Sequence, residues 1–151
     1  MRIIAQNVDE AYVKIGGEIY SEIKQGYMIL VSFTNGDTRE ICDKMAQKLV
    51  NLRVFPDCEG KTNLSVKDIN GSILSVSQFT LYADCHKGNR PSFVINCLDP
   101  KEATKLYDYF NDVLKKLGMN VKTGVFGADM KVGLVNDGPF TTILDSKELF
   151  K

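Results

Sequence analysis

Little in this chain of 151 residues is available for conventional acid–base or metal chemistry. It has a single histidine, His86, next to Cys85 in a loop-like stretch, and side chains adjacent in sequence are poorly placed to act as a pair. His86 therefore reads as a surface residue. The four cysteines, Cys42, Cys58, Cys85 and Cys97, show no CxxC spacing and fall in helix, loop and strand patterns alike, so they read as reduced thiols. A catalytic zinc needs three ligands, and no His, Cys or carboxylate cluster has the spacing, so no metal and no cofactor are expected. Net charge is also missing: 19 basic residues balance 19 acidic ones. Long stretches of nucleic acid demand a strongly basic face, so any RNA contact is expected to be local, at a tip or a terminal nucleotide. No apolar run approaches the ~20 residues of a membrane span, and Met1-Arg2-Ile3-Ile4-Ala5-Gln6 turns polar too soon for a signal-peptide core. A cytoplasmic protein without a membrane partner is expected.

What is present is the patterning of one α/β domain over residues 1–151. Ile3-Ile4-Ala5 reads as a first strand. Ala11 to Ile15 and Glu18 to Tyr20 flank Gly16-Gly17, a two-residue turn suited to a hairpin. Gly26 marks a turn before Tyr27 to Phe33, a nearly continuous apolar run expected to be a buried central strand. Asp37 or Thr38 can cap a following helix in which Ile41, Met45, Leu49 and Leu52 recur at helical spacing, bounded by Pro56. Ser72 to Phe79 returns to strand, and Ala83 to Asn96 is the longest stretch without a period, where functional loops tend to lie. Asp99-Pro100-Lys101-Glu102 is a helix start, followed by an apolar stripe at Ala103, Leu106, Phe110, Val113, Leu114 and Leu117 and a stop at Gly118. Three strands are expected after it, Val121 to Val125, Lys131 to Val135 and Phe140 to Leu144. Hairpin-length connections favour a mostly antiparallel sheet against two main helices.

Two segments stand apart from this patterning. Asn136-Asp137-Gly138-Pro139-Phe140-Thr141 puts Gly-Pro between the last two strand-like runs. Proline has no N–H for a sheet ladder and glycine tolerates dihedrals closed to other residues, so the chain must bulge or turn there. An X-Pro bond also carries a cheap cis option, roughly 0.5–1 kcal/mol above trans, which would set the Gly138 and Pro139 carbonyls side by side as a paired acceptor. An ordinary turn remains the alternative. The other segment, Ser77-Gln78-Phe79-Thr80-Leu81, clusters polar side chains where an apolar strand leaves the sheet; hydroxyls capping the next turn are the plain alternative.

Together the two segments resemble the signature pair of the D-aminoacyl-tRNA deacylases, also called D-tyrosyl-tRNA(Tyr) deacylases: Ser-Gln-Phe-Thr-Leu and Asn-x-Gly-Pro-x-Thr, both complete here. The likeness continues through Asn63-Leu64, Gly88-Asn89-Arg90-Pro91-Ser92-Phe93, Tyr107-Asp108-Tyr109-Phe110, Thr123-Gly124 and Ala128-Asp129-Met130, and covers essentially the whole chain in family order. The resemblance implies a barrel-like, mostly antiparallel α/β fold. It also implies a hydrolase that proofreads translation by cleaving the ester between a D-amino acid, or glycine, and the 3′-terminal adenosine of tRNA. It further implies a homodimer in which the Gly138-Pro139 corner of each subunit enters the other's pocket and its carbonyls hold the substrate's α-amino group. An L side chain is then rejected, and glycine fits. By the same resemblance Phe79 and Thr80 are the catalytic positions, and Ser77, Gln78, Met130, Asn136, Gly138, Pro139 and Thr141 bind substrate. One departure concerns the arginine that usually follows the first-strand glutamine and helps hold the Gly-Pro loop: here Asn7 follows Gln6, which leaves that contact to another residue.

The residues can be tested against the chemistry independently. A threonine nucleophile at Thr80 would need an adjacent base, and the sequence offers little. An aminoacyl ester is already reactive and carries a vicinal ribose hydroxyl able to assist. The protein then has to orient the ester and stabilise the oxyanion, for which backbone N–H groups near Phe79 and Thr80 are reasonable donors, one such donor being worth ~3 kcal/mol. Lys87 and Arg90 could touch the tRNA backbone or simply be solvated. The competing class of answer is a non-catalytic binder of aminoacyl-tRNA or nucleic acid, and a third is a ligand or interaction domain whose Gly-Pro corner only builds a dimer interface.

Overall fold

The computed structural model describes residues 1–151. Its strands are β1 (Arg2–Ile15), β2 (Glu18–Ile23), β3 (Gly26–Ser32), β4 (Phe55–Pro56), β5 (Thr62–Leu64), β6 (Ser72–Ser77), β7 (Asn120–Thr123) and β8 (Lys131–Asp145). The helices are α1 (Arg39–Asn51), α2 (Pro100–Lys116) and the single turn α3 (Ser146–Leu149), and a 3-10 turn covers Phe79–Tyr82. The mixed α/β class and the two main helices follow the sequence pattern, and α3 is an addition to it.

Strand β1 organises the sheet. Where a short strand at Ile3 and another at Ala11 were expected, one strand of 14 residues runs through both. It pairs antiparallel with β3 over Arg2 to Val8, with β2 over Ala11 to Ile15, and with β8 along its opposite edge. The β1–β2 hairpin closes through Gly16 and Gly17, both at positive φ, as the sequence implied. Antiparallel pairs predominate, but β3–β6 and β6–β7 are parallel. Connection length explains the difference: α1 lies between β3 and β6 and α2 between β6 and β7, and each gives the chain a crossover long enough to return in the same direction. Hairpin spacing near the N-terminus was a poor guide to the middle of the chain. The sheet curls until the Ser21 hydroxyl of β2 donates to the Thr123 carbonyl of β7 at 2.7 Å, which makes it barrel-like.

Burial on both faces accounts for the unbroken apolar run in β3. Tyr27, Ile29 and Val31 point into the larger core with Ile3, Met45, Leu49, Phe110 and Leu114, under the helices. Met28 joins Val8, Ala11, Val13, Ile23, Leu74 and Val76 in a second cluster inside the curl. Strand β6 is likewise two-faced, Ile73 in one cluster and Leu74 in the other. Helix α1 is capped by Thr38, whose hydroxyl accepts from the Ile41 N–H at 3.3 Å. Asp37, the other candidate cap, instead accepts from the Met1 amino group at 2.5 Å and the Thr34 N–H at 2.7 Å. Asp99 caps α2 by accepting from Lys101 N–H at 2.9 Å, with Pro100 in the first turn. Glu102 does not complete a capping box; it pairs with Lys105 at 2.7 Å. The helix stops at Gly118, whose φ of +88° suits a glycine.

Strand β8 corrects the last part of the reading. It is continuous across Gly138-Pro139, so two strands joined by a turn are replaced by one bulged strand. Gln6 faces Thr141 while Val8 faces Asn136. One intervening residue on β1, Asn7, thus stands opposite four on β8, Asp137 to Phe140. The ladder accommodates a proline by letting the segment leave it.

Candidate active site

The polar segment begins where β6 ends. Ser77 is its last residue, and the Gln78 N–H still donates to the Val31 carbonyl of β3 at 2.8 Å before the chain closes into the 3-10 turn. The strand expected to reach Phe79 stops two residues short because Gln78 leaves the ladder, with φ −148° and ψ 86°. Side chains from three distant places hold the turn. The Phe79 carbonyl accepts from the Ser32 hydroxyl at 3.3 Å and from the Cys97 thiol at 3.6 Å. The Leu81 carbonyl accepts from Arg2 Nη1 at 2.7 Å. Arg2 in turn pairs with Asp145 at 2.9 Å, and its guanidinium lies 4.7 Å from the centre of the Tyr82 ring. Burial pushes the Cys97 thiol pKa up, which keeps it a protonated donor. Neither Ser32 nor Arg2 signals a role locally, since Ser32 lies within the apolar run Tyr27 to Phe33 and Arg2 is one of many charged residues.

Two cavities meet at this turn. One, of about 270 Å³, is mostly apolar, with Phe33, Phe79, Phe93 and Phe126 among its walls and Ser32 and Cys97 among its polar ones. The other, of about 300 Å³, is lined by Ser77, Gln78, Phe79, Phe126, Asp129 and Met130 among others. Gln78, Phe79 and Phe126 belong to both and form the divide between them. Phe79 is 56% exposed and its ring meets Phe93 edge-on, 5.0 Å between centres. Of the residues singled out in the sequence, Ser77, Gln78, Phe79 and Met130 therefore come together. Thr80 is exposed beside them and lines neither cavity.

The Gly-Pro corner lies elsewhere on the chain. Asn136, Gly138, Pro139 and Thr141 are all exposed and line neither cavity. The Gly138-Pro139 peptide is cis, and Gly138 sits at φ +122°. No side chain hydrogen-bonds to residues 136–141, so within one chain nothing replaces the missing arginine. Asn7 stands across the ladder from the bulge, but its side-chain amide donates to the Val54 carbonyl at 2.9 Å.

The chemistry available at the turn is non-ionic. The Thr80 hydroxyl accepts a close hydrogen bond from the Gln78 amide. An amide cannot take a proton from it, so Thr80 lacks the base a nucleophile needs. His86 is almost fully exposed and pairs with Asp84 at 2.7 Å; the His86 backbone N–H first, and then its ring, hold the Asp84 carboxyl below its usual range. No three His, Cys, Asp or Glu side chains cluster as metal ligands would. Lys87 and Arg90 are exposed and have no ion-pair partner. No helix is long and apolar enough to cross a membrane.

Comparisons with known proteins agree with the motif reading. Residues 4–145 match the family model described as D-Tyr-tRNA(Tyr) deacylase. The D-aminoacyl-tRNA deacylase of Lactobacillus acidophilus is 52% identical over 145 residues, covering 96% of this chain and 99% of that protein. That of Bacillus cytotoxicus is 49% identical over 147 residues, covering 97% of this chain and all of its own. Among solved structures, one described as c-Myc DNA Unwinding Element Binding Protein superposes with a TM-score of 0.89 at 39% identity, over 96% of this chain and 98% of that one. A probable eukaryotic D-amino acid tRNA deacylase superposes with a TM-score of 0.82 at 19% identity, over 95% and 97%, which speaks to the fold.

Proposed function

This chain belongs to the D-Tyr-tRNA(Tyr) deacylase family, and from that we infer that it is a D-aminoacyl-tRNA deacylase, a carboxylic ester hydrolase acting on aminoacyl-tRNA. The observation that carries the inference is near-complete coverage at about half identity by proteins of that name, with both signature segments intact.

The ester between a D-amino acid and the 3′-terminal ribose is cleaved at the Phe79–Thr80 turn, with the terminal adenosine and the aminoacyl group divided between the two cavities. The aromatic walls suit a base and the polar ones an ester. The absence of a base on Thr80 supports catalysis assisted by the tRNA's own vicinal hydroxyl, the backbone N–H groups serving the oxyanion. The corner at Gly138-Pro139 is exposed, paired to nothing in its own chain, and lines neither cavity. That placement supports a homodimer in which each corner completes the partner's pocket and excludes L side chains, while glycyl-tRNA remains a substrate. A cytoplasmic site of action belongs to the same proposal.

Incubating the protein with D-Tyr-tRNA, L-Tyr-tRNA and Gly-tRNA and following deacylation tests it. Release from the D and glycyl substrates alone is expected. Binding of tRNA without release would favour the second reading, a nucleic-acid binder, which the description of the 39% identical structure brings forward. The zero net charge weighs against that reading.

A further inference from the structure

Two side chains that no motif contains converge on one backbone atom of the motif. The Ser32 hydroxyl, at the end of β3, and the Cys97 thiol, just before α2, both donate to the Phe79 carbonyl, at 3.3 and 3.6 Å. We propose that Ser32 and Cys97 are positioning residues for deacylation, a two-donor clamp that fixes the peptide between Phe79 and Thr80 and so aims the Thr80 N–H. The proposal rests on the deacylase reading above.

The physical link is the rigidity of the peptide unit. The Phe79–Thr80 peptide is trans, since the one cis bond in the chain is at Gly138-Pro139. In a planar trans peptide the C=O and N–H point in opposite directions, so holding one fixes the other. Both donors also line the apolar cavity, which places the Phe79 carbonyl on that side of the turn and the Thr80 N–H on the opposite side. Either donor alone limits the tilt of the carbonyl, and with one from a strand and one from a loop it cannot swing free without losing both bonds. Ser32 is 2% exposed and sits on a strand whose backbone is locked by β1 and β6, so its hydroxyl has a fixed origin. The Cys97 segment is tied down nearby, because the Thr34 hydroxyl donates to the Asn96 carbonyl at 2.6 Å and the Leu98 N–H to the Phe33 carbonyl at 3.3 Å. A thiol is protonated at neutral pH, as a donor requires, and desolvation moves the Cys97 pKa further up. An oxyanion donor acts only if its direction is set before the charge develops.

A clamp with two donors makes a distinctive kinetic prediction. Removing one leaves the carbonyl held by the other, whereas removing both frees it. Steady-state deacylation of D-Tyr-tRNA by Ser32→Ala, Cys97→Ala, the double variant and Cys97→Ser tests this. Each single alanine variant should lower kcat about 2- to 5-fold with KM unchanged, in line with one neutral hydrogen bond. The double variant should lose about 100-fold, more than the product of the singles, as the aim of one oxyanion donor is lost. Cys97→Ser, which keeps a donor at the same position, should restore kcat to near the parent. If both Cys97 variants change KM alike and leave kcat untouched, the thiol only lines the cavity and the proposal is overturned. Strictly multiplicative losses, or an unchanged kcat in the double variant, overturn it as well. Should Ser32→Ala unfold, the Cys97→Ala and Cys97→Ser pair decides alone, since serine must rescue kcat. An inactive parent protein would instead count against the deacylase reading itself.

Discussion

The side-chain amide of Asn7 donates to the carbonyl of Val54 at 2.9 Å, from a position directly across the ladder from the bulge that carries Gly138 and Pro139. Asn7 is 3% exposed and its Oδ1 has no partner. Position 7 thus ties β1 to the connection after α1 and makes no side-chain bond to the corner. Asn7→Ala should lower stability by about 1–2 kcal/mol in urea unfolding, because the Val54 carbonyl loses its donor, and should leave D-against-L selectivity intact. Lost selectivity at unchanged stability would show that Asn7 acts on the corner after all.

Arg2 uses three nitrogens at once, Nε and Nη2 toward Asp145 and Nη1 toward the Leu81 carbonyl. Lysine carries one nitrogen and cannot span both. Arg2→Lys should lower kcat for D-Tyr-tRNA about 3- to 10-fold, the equivalent of one hydrogen bond, with a smaller loss of stability because the side chain is about one-third exposed. Comparing kcat with the melting temperature separates the two effects.

Gly138 adopts φ +122°, and a Cβ added there would stand 3.0 Å from the Phe140 nitrogen. Both facts disfavour any L residue. Gly138→Ala should therefore displace the corner's carbonyls. The strain should cost about 1–3 kcal/mol of stability while discrimination between D-Tyr-tRNA and L-Tyr-tRNA falls. Parent-like selectivity in a folded Gly138→Ala protein would remove the corner from substrate choice.

Thr80 offers a sharper test of mechanism. Its hydroxyl is bonded to the Gln78 amide and has no base. Thr80→Ala should cost no more than about 10-fold in kcat, since only a neutral hydrogen bond is lost. A fall approaching a millionfold, or an acyl-enzyme trapped by acid quench and mass spectrometry, would make Thr80 a nucleophile.

Acid should loosen the segment between β5 and β6. Asp68 accepts from the backbone N–H and the hydroxyl of Ser65, which hold its carboxyl below the ordinary 3.8. A depressed folded-state pKa gives stability that is present above the unfolded value and lost as pH falls through the folded one. The urea midpoint should therefore drop below about pH 4, and Asp68→Asn should flatten that part of the profile.

How much of this was legible in sequence depends on the range of the interactions. The hairpin at Gly16-Gly17, the Asp99 cap and the Gly118 stop rest on neighbours a few residues apart, and all are found. The Asn-x-Gly-Pro-x-Thr and Ser-Gln-Phe-Thr-Leu segments were visible as motifs because each is contiguous. Fusion of the expected last two strands into β8 was not, since a proline predicts an interruption while the β1 edge, pairing on both sides of it, decides that the strand resumes. The parallel pairings of β6 were missed for a related reason: the chain returns to β3 through α1, and nothing local records that direction.

By itself the sequence determined the element types, the two-faced apolar character of β3 and the contiguous residues that chemistry would use, because these follow from side-chain periodicity and from the backbone limits of glycine and proline. Only the tertiary structure decided what grips the turn after Ser77. Ser32 is 47 residues from Phe79 and Arg2 is 79 from Leu81, and a hydrogen bond across such separations exists only once the sheet has closed and brought its strands to a common end.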